Sequence, residues 1–61
     1  MIIAEVLEAL PDDYRQVIVL RNLQGLSHAE VGQQLDRSES AVRMLWLRAL
    51  KALRQGVLER Q

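Results

Sequence analysis

The sequence predicts an all-α protein: a small four-helix domain containing a helix-turn-helix, with a long C-terminal recognition helix. Three observations carry this. Apolar residues recur at helical spacing in successive segments separated by turn residues. Ser27 and Ser38 stand where helix N-caps are needed, and Glu30, three residues after Ser27, completes an S-x-x-E capping box. β-branched residues are few outside Val17-Ile18-Val19 and phenylalanine is absent, so no segment reads as a strand.

Ile2, Ile3, Val6, Leu7 and Leu10 share helical spacing and predict a short amphipathic first helix. Pro11 ends it, because the residue before a proline avoids the α region. Asp12 and Asp13 are expected to cap and charge the start of a second helix running to about Gln24. Its apolar residues, Tyr14, Val17, Ile18, Leu20 and Leu23, cover more than one face, as a central helix requires. Gly25 suits the left-handed residue after that helix, and Leu26 is placed to dock back on the core. A third helix is expected over 28–35 and a fourth from 39 into the high fifties. Asp36-Arg37 leaves room only for a sharp change of direction, and Asp36 takes the position that often needs the left-handed region. Val31, Leu35, Val42 and Leu45 face inward and lock this pair, with small residues (Ala29, Gly32, Ala41) where the helices cross. On the fourth helix Val42, Leu45, Trp46, Ala49, Leu53 and Val57 form one buried stripe, outside which lie Arg43, Met44, Leu47, Arg48, Lys51 and Arg54.

Length and composition bound the function. Sixty-one residues hold one domain, expected to be a fragment of a larger protein or a very compact whole one. A chain this short buries only about 60% of its unfolded surface, so its stability is marginal or borrowed from a neighbour. The absence of cysteine excludes disulfides and cysteine metal sites and fits a cytoplasmic setting. No apolar run approaches the roughly 18 residues of a membrane span, and no basic secretory leader opens the chain. Net charge is zero but unevenly spread. Up to Asp36 six acids face two bases; from Arg37 onward six bases face two acids. A basic half concentrated on one helix points to nucleic acid, since the local field outweighs the total. Cations complementing the dipole at a helix end account for Lys51, Arg54 and Arg60 but not for Arg37 or Arg43.

Catalysis finds no footing. His28 is the single histidine, and Asp12-Asp13 are neighbours on a helix start that do not face each other. Ser27, Ser38 and Ser40 lack a positioned base, and neither a phosphate loop nor a metal-ligand spacing is present. No catalytic residue, metal or cofactor is therefore expected. A helix-turn-helix instead aims the first turns of its second helix into the major groove. Ser38, Glu39, Ser40, Arg43 and Met44 are then the candidates for base edges, with Arg43 bidentate on guanine and Glu39 accepting from cytosine. Arg37, Arg48 and Lys51 suit phosphates, and Ser27 and His28 offer backbone N–H groups to another. Met44 and Leu47 are apolar yet outward, which fits a thymine methyl or a protein partner.

These residues carry a pattern: Leu10-Pro11-Asp12-Asp13-Tyr14-Arg15-Gln16-Val17, Leu20-Arg21, Gly25-Leu26-Ser27, Glu30-Val31-Gly32, Ser38-Glu39-Ser40-Ala41-Val42-Arg43, and Arg48-Ala49-Leu50-Lys51-Ala52-Leu53-Arg54. In order and without gaps over 10–54, it resembles region 4 of bacterial RNA polymerase sigma factors, in particular the extracytoplasmic-function (ECF) group. The resemblance implies a four-helix domain that recognises the −35 element of double-stranded promoter DNA through its last helix. It also implies docking on the flap of the polymerase β subunit and masking by an anti-sigma factor. Carried over by position, the base-reading group is Ser38, Glu39, Ser40, Arg43 and Met44, with Arg48 and Lys51 near the backbone. Leu45 and Leu47 depart from the family's usual arginine and polar residue, removing charge and adding apolar surface for a specialised partner. Region 2, which opens the −10 element, has no counterpart here, so these residues are expected to bind without starting transcription.

Two readings compete. The output domain of a response regulator shares the four-helix plan, but usually carries a histidine or hydroxyl near Leu45 and a different helix ending. A non-DNA helical interaction module would leave Arg43 and Arg48 merely solvated and use Met44 and Leu47 as its contact.

Overall fold

Helix α1 spans Ile2–Ala9 and stops at Leu10, whose extended backbone is what a following proline demands. The computed structural model describes residues 1–61, all of its regular structure helical. α2 covers Asp12–Ile18 and runs on without a break into a single π-helical turn, Val19–Leu23. Helix α3 is His28–Leu35 and α4 is Glu39–Glu59. The 21 residues of α4, at about 1.5 Å each, account for most of the molecule's 35 Å length. The other helices pack along it.

The start of α2 differs from the sequence expectation. Its N-cap is Pro11, which makes no side-chain bond, and Asp12 and Asp13 already lie inside the first turn. Asp13 Oδ1 accepts from the Tyr14 N–H at 2.9 Å, while Asp12 pairs with Arg15. Proline suits this place because a helix start has no intrahelical bond that its missing N–H would have to make. The expected helix to Gln24 has the right extent but the wrong register. Gln24 N–H bonds to Val19 C=O at 3.0 Å, one residue wider than an α turn. That extra residue shifts the phase of the side chains after Ile18 and turns Arg21 and Asn22 toward Trp46. The segment ends as expected at Gly25, with φ +73°, and Leu26 packs on the core.

The core is small and entirely apolar: Val17, Ile18, Val31, Val42, Leu45 and Ala49 are buried together. Leu7, Leu10, Tyr14, Leu20, Leu26, Leu35, Trp46, Leu50 and Leu53 pack around it. Leu45 therefore adds core rather than surface, and of the two departing leucines only Leu47 adds exposed apolar area. α1 contributes Val6, which sits against Gly56 of α4, whereas Ile2 and Ile3 remain exposed rather than completing an apolar stripe. Among the small residues, Ala29 is exposed rather than buried between helices. Gly32 is needed for another reason. A Cβ there would lie 2.5 Å from the Arg37 carbonyl oxygen, so the turn itself folds over the glycine.

Candidate nucleic-acid interface

Three local devices set the angle between α3 and α4. Ser27 Oγ accepts from the Glu30 N–H at 3.1 Å while Glu30 Oε1 accepts from the Ser27 N–H at 2.9 Å, closing the capping box at the start of α3. Those contacts, the bond from the Ser27 N–H first, hold the Glu30 carboxyl below its ordinary range. Asp36 adopts the left-handed conformation, φ 56° and ψ 49°, and the Arg37 N–H returns to the Gly32 carbonyl at 2.9 Å. Ser38 Oγ then caps α4 by accepting from the Ala41 N–H at 3.1 Å. Each device satisfies backbone groups that helix ends leave unpaired.

The tip so built is exposed. Glu39, Ser40, Arg43 and Met44 all reach solvent, with Ser38 beside them at the cap. Major-groove depth is about 8.5 Å, which matches roughly six residues of helical rise. Residues 39–44 thus span a length equal to the depth of the groove, and Leu47, Arg48 and Lys51 lie one to two turns farther along α4. Arg43, Arg48 and Lys51 form no ion pair within the chain. Arg37 is different: its guanidinium lies 3.9 Å from Asp13 Oδ2, a loose, half-exposed contact.

Ser27 and His28 sit less freely than their positions in the sequence suggest. The Ser27 N–H and hydroxyl are both engaged by Glu30, whose carboxylate occupies the start of α3. His28 is half-buried with its ring edge-on to Trp46, centroids 5.3 Å apart, and its Nδ1 is buried without a partner. Trp46, on the edge of the α4 stripe, is clamped from three sides. Its indole N–H donates to Asn22 Oδ1 at 2.8 Å, and the Arg21 guanidinium lies 4.9 Å from the ring centroid. Arg21 also donates to the Leu26 carbonyl at 2.7 Å, tying the π turn to the loop before α3.

One grouping has no counterpart in the sequence reading. Tyr14 and Gln55 line an open groove of about 400 Å³ together with Arg48, Lys51 and Ala52. Tyr14 reads as a core residue of α2 by spacing, and only the crossing of α2 over α4 brings it to the two cations.

The comparisons agree with this geometry. A family model described as Sigma-70, region 4 matches residues 1–53, from α1 through most of α4. No curated protein and no solved structure matches the chain. The match takes in every element that shapes the tip and covers most of the sequence, and on that ground the chain belongs to the sigma-70 region 4 family.

Proposed function

We propose that this sigma-70 region 4 domain reads the −35 promoter element in transcription initiation, as one domain of a longer sigma factor of the ECF type. The carrying observation is the solvent-facing start of α4, where Arg43 stands unpaired beside Ser38, Glu39, Ser40 and Met44, with Arg48 and Lys51 unpaired farther along the same helix. In this reading Arg43 pairs with a guanine, Glu39 accepts from a cytosine, and the serines and Met44 complete the base contacts. Arg48, Lys51 and Arg37 neutralise phosphates, with Arg37 released from Asp13 on binding. The role is binding; catalysis stays with the polymerase.

A second cavity, about 430 Å³, is lined by Arg15, Gln16, Val19, Leu20, Gln34 and Leu35 and includes no residue of α4. A polymerase β-flap segment seated there leaves the tip free for DNA. An anti-sigma factor acts by covering either surface. No helix is long and apolar enough to cross a membrane.

Selection of duplexes from a random pool by the chain, followed by titration of the winning site against a scrambled one, tests the reading. Arg43→Ala is expected to cost about 1–3 kcal/mol on the selected site and to relax preference at one base pair. Equal affinity for selected and scrambled duplexes overturns the promoter-reading role, and an unchanged preference in Arg43→Ala overturns the role of that arginine.

A further inference from the structure

We infer that the groove between the start of α2 and the middle of α4 is a phosphate-binding site, in which Tyr14 and Gln55 join Arg48 and Lys51 to hold the DNA backbone beside the bases that the tip reads. This rests on the promoter-reading role and adds residues from outside the helix-turn-helix to it. The lining combines two cations free of ion pairs, a phenol, and the Gln55 carboxamide, one N–H of which donates to Glu59 Oε1 at a long 3.4 Å, around a space of about 400 Å³. Arginine, lysine, tyrosine and glutamine are all phosphate-contacting side chains, and none of these needs base edges to act. The Tyr14 hydroxyl makes no hydrogen bond within the chain, and it is not among the buried unpartnered atoms, so it reaches solvent. Tyr14 itself stays half-buried against the core, which fixes its ring while leaving the polar end available.

The occupant follows from charge and height. Among the nearby acids, Asp12 is engaged by Arg15 and Glu59 by the Gln55 amide. Asp13 is freed when Arg37 turns to a phosphate, so the two unpaired cations set the sign of the site against that one carboxylate. Lys51 lies about 18 Å of helical rise beyond Glu39, roughly twice the depth of the groove, so its long side chain meets phosphates from outside the rim rather than base edges. Arg48 and Gln55, one turn to either side of Lys51 and Ala52, aim the same site toward a single strand. An anchor here from α2 constrains the rotation of the domain about α4, which contacts from α4 alone leave loose.

The test uses the 61-residue chain, the duplex it selects, a scrambled duplex, and a set in which single phosphates are replaced by neutral methylphosphonates. Tyr14→Phe removes one hydroxyl and is expected to lower affinity about tenfold on both duplexes, without changing base preference, as loss of a hydrogen bond to a charged group implies. Its salt dependence should match wild type, because a phenol displaces no counterion. Lys51→Gln should instead shallow the log–log salt slope by about 0.9. One methylphosphonate flanking the site is expected to weaken the wild-type chain by about tenfold and to have little added effect on either variant. Wild-type affinity of both Tyr14→Phe and Gln55→Ala at every phosphate overturns the site while leaving base reading intact. Competition by a glutamate-rich peptide, with no single phosphate mattering, overturns it in favour of an acidic protein partner. Failure of the wild-type chain to prefer its selected duplex identifies a failure of the promoter-reading role instead.

Discussion

At its N-terminal end α4 is held by backbone chemistry: the Ser38 cap, the left-handed Asp36, and the Arg37 carbonyl folded over Gly32. At its C-terminal end it is held by apolar packing on α1, with Val6 set against Gly56. Around that far end Met1, Ile2, Ile3 and Leu58 stay exposed, while the near end exposes mainly polar and cationic groups. The contrast teaches where precision is needed. The helix end proposed to meet base edges is positioned by short, directional backbone bonds that tolerate little displacement. An end that only closes the fold is held by apolar contact, which is non-directional and forgiving.

The most damaging way to break this contrast is at Gly32. Gly32→Val forces side-chain atoms onto a backbone oxygen that cannot rotate away, so a loss of about 3 kcal/mol or more is expected. Urea unfolding measures it, and a wild-type midpoint would show that the turn is not what fixes the tip. Gly56→Val makes the matched test at the other end. There the Cβ meets a Val6 methyl at 2.5 Å, so α1 shifts at a cost of about 1–3 kcal/mol. Amide exchange is expected to quicken in α1 and not in α3, with base preference on the selected duplex unchanged, since the tip at Arg43 lies about 20 Å along α4 from Gly56. Equal loss of protection in both helices would mean that the two ends are one cooperative unit.

The smallest effect separates the ends by pH. Glu30 carries a carboxyl lowered from its ordinary 4.5 by the Ser27 contacts. A lowered folded value means that its contribution is present above 4.5 and is lost as pH falls through the folded value. Thermal midpoints from pH 6 down to 3 are expected to fall less steeply in Glu30→Gln than in wild type. Parallel curves would show that the capping box adds nothing pH-dependent at the tip.

Much of the near end was legible from residues alone. Ser27-x-x-Glu30, Ser38, Gly25 and Asp36 announce their conformations locally, because capping and left-handed backbone depend on neighbours a few positions away. The exposed face of α4 followed from helical spacing. The far end was less legible: Ile2 and Ile3 share the spacing of a buried stripe, yet Val6 alone of α1 is fully buried and the two isoleucines stay in solvent. Nor did spacing reveal that Asp12 and Asp13 sit past the cap, which Pro11 occupies.

What the chain's order of residues determined by itself is the set of helices, their caps and turns, and which face of α4 carries the arginines. These depend on periodicity and on hydrogen bonds between near neighbours. Tertiary packing alone decided the π turn that aims Arg21 and Asn22 at Trp46, the engagement of Arg37 by Asp13, and the meeting of Tyr14 with Arg48 and Lys51. Each of those joins residues far apart along the chain, and only the crossing of helices in space brings such groups within reach.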